Sequence, residues 1–180
     1  MPQLLQLKSL SIPVVHQHER PTGFVEGTPV MTDEGERPVE ALLAGDRVLT
    51  RDNGLVELRG TSTLVACDID LIGFWPEGAD PTAGPPLLNL PSMQQVAVAD
   101  WRAQVLYESD SILTPAGSLV DGLRVLRRKR GLLRLVRLHF DTPQLVLSQG
   151  FALASEQTRA PQPFGAPAEA ELPSVSPTFH

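Results

Sequence analysis

Thiols and imidazoles, the side chains most readily turned to covalent and acid–base chemistry, are few in these 180 residues. There is one thiol, Cys67, and it excludes an internal disulfide and any zinc site built on several thiolates. Free cysteine is most often a small buried residue, and a buried structural thiol is the expectation for Cys67. His16 and His18 in VVHQHER would share one face of a strand, a spacing that can grip a metal ion. With Glu19 as the one further ligand type close by, a solvated strand is expected there, and neither a metal nor another cofactor. His139 alternates with apolar residues in RLVRLHFD and reads as a core or edge histidine rather than a base. Thr22 follows Pro21, whose carbonyl its hydroxyl would have to attack. A secondary hydroxyl needs a base placed beside it to do so, and a turn residue is the plainer reading.

The strongest charge feature is RVLRRKRGLLRLVR, Arg124 to Arg137, which holds seven of the fifteen Lys and Arg residues. Such a run suits anionic lipid, nucleic acid or an acidic partner. Lys129-Arg130-Gly131 sits between two apolar-alternating arms, which predicts an exposed hairpin with a charged tip, a placement that guards strand edges. No aromatic stripe is interleaved to stack bases, and no Gly-rich phosphate loop is present. The formal net charge of −6 argues further against nucleic acid. Arg127, Arg128, Lys129 and Arg130 are therefore candidate docking residues for an acidic protein partner.

These residues must be positioned by short elements, because 17 prolines break the chain often. TPVMT and DRVLTR are β-branched runs, DEGERP and RDNG carry turn chemistry, and Asn53-Gly54 is a strong hairpin signal. RPVEALLAGD predicts a two-turn helix, with Pro38 preset for its first position, Gly45 able to end it, and Val39, Leu42 and Leu43 facing the core. QQVAVAD, AQVLYES, SILTPAG and RLVRLHFD continue the strand pattern, while DIDLIGFWPEGADPTAGPPL predicts a loop or irregular crossing from Asp68 to Leu88. The sum is a mostly β domain over residues 22–156. It follows an extension over 1–21, with a possible strand in LLQLKSL, and precedes a flexible Pro-rich tail over 157–180. No cleavable signal peptide and no bilayer-spanning apolar run is seen, so a soluble chain, cytoplasmic by default, is expected.

The order Gly-Thr, strand, turn, Arg-Pro-Val-Glu, short helix, Gly-Asp, strand in GFVEGTPVMTDEGERPVEALLAGDRVLTRDNG resembles the first block of Hint domains, the hedgehog/intein superfamily. The bacterial group is the most similar. Gly27-Thr28, Gly35, Pro38-Val39-Glu40, Gly45-Asp46 and Val48-Leu49 carry the likeness. DWRAQVLYESDSILTPAGSLVDGLRV and LVRLHFDTPQLVLSQGFALASE are similar to later segments, so the resemblance runs from Gly23 to Glu156. It implies an all-β, pseudo-symmetric horseshoe with one short helix, and an ancestry in protein splicing or other autoprocessing.

It also implies where catalytic groups should stand. Active relatives begin with Cys or Ser, whose side chain attacks the carbonyl just before it. This chain has Gly23 there. A second-block histidine, in a run like Ser-Pro-Gln-His, helps protonate the departing amide; here Ser92-Met93-Gln94-Gln95 places Gln95 at that position. An amide does not exchange a proton near neutral pH as imidazole does. In the last block Asp-x-His-Glu becomes Asp141-Thr142-Pro143-Gln144, with Pro143 in place of histidine. Loss of a general acid or base costs about 10²–10⁴ in rate, whereas loss of the nucleophile removes the covalent route. The resemblance therefore implies a catalytically degenerate domain kept as a binding or structural module. The rival is a domain that still cleaves or splices itself through an unrecognised nucleophile such as Thr22.

Overall fold

The computed structural model describes residues 14–15, 21–99 and 111–155. The expected strand in LLQLKSL, the His16/His18 pair with Glu19, the AQVLYES run and the tail over 157–180 lie outside the described residues. The regular structure among the described residues is almost all strand, in agreement with the all-β expectation. Among the described residues thirteen strands run in order: β1 (Val14–Val15), β2 (Phe24–Val25), β3 (Pro29–Thr32), β4 (Gly35–Pro38), β5 (Arg47–Thr50), β6 (Gly54–Glu57), β7 (Gly60–Phe74), β8 (Leu88–Pro91), β9 (Gln95–Ala99), β10 (Ser111–Pro115), β11 (Val125–His139), β12 (Leu145–Ser148) and β13 (Phe151–Ala154).

Two sheets result. The first has the order β1-β7-β11-β2, with β8 also on β7; the second runs β10-β9-β13-β12-β5-β3-β4, with β6 on β5. Each half of the chain contributes one 15-residue strand, β7 and β11, and these pair antiparallel from Val125↔Phe74 to His139↔Gly60. Period-two burial shows why these runs become strands: β3, β5 and β12 each put alternate residues (Val30 and Thr32, Val48 and Thr50, Val146 and Ser148) into the interior. Phe24, Val30, Val39, Val48, Ile72, Leu90, Leu138 and Leu153 meet there in one core cluster. Full burial of such side chains stabilises by about 1.5–3 kcal/mol each. A smaller cluster of Leu64, Ala66, Ile69, Leu71 and Leu135 lies on the first sheet. Asn53-Gly54 closes the β5–β6 hairpin as expected, with Thr50 opposite Gly54 and Gly54 at φ 63, the left-handed region that glycine enters without steric cost.

Four local expectations are corrected. RPVEALLAGD forms one 3-10 turn, Val39–Ala41, in place of a two-turn helix. Leu42 is already extended, and Arg37 and Asp46 explain why the turn stops. The Arg37 guanidinium donates to the Ala41 carbonyl, and the Asp46 carboxylate accepts the Leu43 N–H, so side chains take up groups a helix would have used. Val39 and Leu42 are buried, but Leu43 is 67% exposed because it leaves the turn on the outer side. A second 3-10 turn, Ala116–Leu119, was not expected. Asp68 to Phe74 belongs to β7, and the irregular stretch begins only at Trp75; the apolar alternation of Ile69, Leu71 and Ile72 outweighs the glycine and prolines that follow. There is also no hairpin at Lys129-Arg130-Gly131: β11 runs straight through it, with Lys129 opposite Asp70 and Leu132 opposite Cys67.

The turn into β11 lies earlier. One oxygen of Asp121 accepts the N–H groups of Leu123, Arg124 and Val125, each at 2.8 Å. Those bonds, led by the one from Val125, hold the Asp121 carboxyl below the usual carboxylate range. Among the described residues no helix is long and apolar enough to cross a membrane.

Candidate functional site

The site forms where the first strand of the domain enters the core. Phe24 is fully buried, and β2 pairs with β11 through Phe24↔Val136 and Val25↔Leu135. That pairing fixes the peptide bond just before it, between Thr22 and Gly23. Its N–H, on Gly23, donates to the Gln94 side-chain oxygen at 2.9 Å in a buried position. Its carbonyl, on Thr22, accepts the Arg137 Nε–H at 3.2 Å. Both polar ends of one peptide unit are thus gripped by side chains from the second half of the chain.

Gln94 is itself held on every side. It is 2% exposed, its amide nitrogen donates to the Ala154 carbonyl at 2.7 Å, its backbone N–H donates to Pro91, and its carbonyl accepts from Ala116. The β9–β13 pairing, Leu153↔Val96 and Ala152↔Ala97, brings the end of β13 to this point. The last block closes from behind: the Gln144 backbone N–H donates to the Ser155 hydroxyl, the Ser155 N–H returns to the Gln144 carbonyl, and Asn53 donates to the Gln144 side chain. No buried side-chain polar atom among the described residues lacks a partner.

Of the positions the sequence singled out, Gly23 is central. Its φ is +137°, a conformation that L side chains rarely adopt, and a Cβ there would stand 3.0 Å from the Val136 carbonyl oxygen and 3.4 Å from both Arg137 Cγ and Leu135 Cβ. A side chain there would need β11 to give by a few tenths of an ångström. Gln95 opens β9, half-buried and opposite Pro115, while its neighbour Gln94 is the residue whose side chain meets Gly23. Pro143 is exposed and precedes Gln144, whose backbone N–H donates to the Ser155 hydroxyl. Thr22 is half-buried, with its carbonyl engaged by Arg137.

Sequence reasoning missed Gln94, Arg137 and Ala154. Adjacent glutamines left a one-residue choice that the Pro91–Gln94 turn resolves, and Arg137 reaches the site only because β2 pairs with β11.

Among the described residues, acid–base groups are sparse around the Thr22–Gly23 bond. His139, the one histidine among the described residues, is exposed at the end of β11, with Nε2 2.8 Å from the Ser62 hydroxyl. Asp141, two residues before Pro143, spends both carboxylate oxygens on Arg59, at 2.7–3.0 Å. The bonds and charge of that guanidinium keep the Asp141 carboxyl below its ordinary range, so it stays an anion near neutral pH. Cys67 is half-buried on β7, opposite Leu132 of β11, rather than fully buried. No group of three or more His, Cys, Asp or Glu able to hold a metal occurs among the described residues. An ordered peptide with an Arg on its carbonyl can stabilise developing negative charge there. That alone breaks no bond: attack requires a nucleophile, and departure requires a proton for the nitrogen, which Gln94 Oε1 accepts from and does not supply.

The four basic residues lie mid-strand. Arg127 pairs with Asp70 at 2.8 Å, and Arg128 lies over the Trp75 ring, 4.6 Å from its centroid, while Lys129 and Arg130 are exposed.

Comparison with known proteins gives one family: residues 22–71 match the model of the Hint domain. Among solved structures, the chain is similar to the bacterial intein-like domain from Clostridium thermocellum, with 17% identity, TM-score 0.47, and coverage of 74% of this chain and 98% of that one. It is similar to the MchDnaB-1 intein, with 13% identity, TM-score 0.44, and coverage of 73% and 98%. The AceL NrdHF class 3 split intein is similar at 13% identity, TM-score 0.44, and coverage of 74% and 97%. The chain matches none of the curated proteins compared with it.

Proposed function

From the premise that this chain carries a Hint domain, we propose that the domain no longer processes itself and is retained as a binding or structural module. The observation that carries this reading is the environment of Gly23. The backbone at the attacking position is left-handed, the β11 carbonyl of Val136 crowds the place of a Cβ, and the N–H of the bond that would break is held by an amide oxygen. A side chain at this position would need both the rare backbone conformation and a shift of a few tenths of an ångström in β11. The peptide unit that relatives cut becomes a structural tie, joining the start of the domain to Gln94 and, through it, to the end of β13.

A fusion tests the reading in cells. A fluorescent protein is joined before Met1 and a second, of another colour, after His180, and the product is followed on denaturing gels. A single full-length species is expected. Release of either reporter by cleavage at Pro21–Thr22 or Thr22–Gly23, or ligation of the two reporters, would favour the autoprocessing rival.

A further inference from the structure

One edge of β11 is paired with β7 along its length, whereas among the described residues the other is paired at Leu135 and Val136, by β2, with the Glu26 N–H also donating to the Arg134 carbonyl. Among the described residues no strand pairs with that outer edge between Leu126 and Leu133. An open strand edge offers unpaired N–H and C=O groups to any extended chain of suitable side chains. Here the stretch presents Arg127, Arg128, Lys129 and Arg130 in succession, and then Leu132 at 72% exposure.

These charges are not all neutralised within the protein. Asp70 compensates Arg127, and Arg128 is fixed by Trp75 and by its bond to the Pro81 carbonyl without a carboxylate. Lys129 and Arg130 make no ion pair among the described residues. Cations on an edge block self-association. Two copies paired antiparallel about this stretch would set Arg127 against Arg130 and Arg128 against Lys129, and like charges directly opposed destabilise a strand pair. The same row attracts a strand of opposite charge, so the edge discriminates between partners by repulsion as well as attraction.

We propose that the outer edge of β11 is a docking site for an extended acidic segment of a partner protein, added to the first sheet as a further strand. Two adjacent carboxylates of the partner meet Lys129 and Arg130, one on each face of the sheet, and an apolar side chain covers Leu132. Backbone bonds supply the geometry, and the charges supply selection. This inference stands apart from the state of the Thr22–Gly23 bond.

The test uses the full chain and a labelled peptide, Thr-Val-Glu-Glu-Thr-Val, followed by fluorescence anisotropy. Saturable binding is expected, weakened about tenfold or more by Lys129→Ser with Arg130→Ser, by Gln-Gln in place of Glu-Glu, and by added salt. The exchange Lys129→Arg with Arg130→Lys, which keeps both charges, should retain binding, and so should Arg47→Ser, an exposed cation on the other sheet. N-methylation of the peptide amides along one edge should abolish binding while methylation along the other leaves it intact. Absence of saturable binding, equal binding of the Gln-Gln peptide, indifference to the methylated edge, or equally tight binding of heparin would each overturn the proposal.

Discussion

Gly23→Cys, which supplies the type of nucleophile that active Hint domains carry at their first residue, is expected to leave the chain uncut and to lower its stability by about 1–3 kcal/mol. The cost follows from the backbone first. At φ +137° a residue with a Cβ sits in a region almost reserved for glycine. The Val136 carbonyl is backbone within a paired strand, so it cannot turn aside as a flexible side chain would. Relaxing either constraint means pulling Phe24 from full burial or breaking the β2–β11 pair. Chemical denaturation of parent and variant measures the stability loss, and intact mass reports any cleavage. Adding Gln95→His to the same variant should not rescue cleavage, because Gln95 does not make the bond to Gly23. Thiol-dependent cleavage with unchanged stability would show that the site is open after all.

Gln94→Ala is expected to cost about 2–4 kcal/mol, since it leaves the Gly23 N–H and the Ala154 carbonyl unpaired in a buried site, each worth about 1–3 kcal/mol. Gln94→Glu separates the two bonds. An ionised carboxylate accepts from Gly23 but cannot donate to Ala154, and burial disfavours its charge, so the carboxyl should titrate above its unfolded value. With the folded value raised, the protonated side chain's contribution is fully present below the unfolded value and is lost as pH rises through the folded one. The Glu variant should therefore come closest to the parent in mildly acidic solution and fall behind as pH increases. Thermal unfolding across that range reads the difference; a pH-independent deficit would mean that the Ala154 bond contributes little.

Much of the architecture was legible from period-two alternation and turn chemistry. Pro29–Thr32, Arg47–Thr50 and the Asn53-Gly54 turn are local signals, and local physics decides them. The helix over RPVEALLAGD failed because Arg37 and Asp46 compete for its carbonyl and N–H groups, an effect that depends on where their side chains point after folding. The charged hairpin tip failed for a different reason. Glycine between two alternating arms fits a turn as well as a long strand, and only the matching 15-residue partner, β7, selects the strand. At the site, Gly23 could be picked out from its neighbours Phe24 and Gly27-Thr28, but the roles of Gln94 and Arg137 arise from contacts 71 and 115 residues apart in sequence. No local pattern encodes such pairs.

The central claim is that the Thr22–Gly23 bond is a structural tie and no longer a point of cleavage. Intact mass of the purified full chain tests it most directly, recorded over several days at room temperature with and without added thiol or hydroxylamine, which would trap any thioester or ester. One mass, equal to that of the uncut chain in every condition, is the predicted result. Fragments ending at Pro21 or Thr22, disappearing in Thr22→Ala, would contradict it.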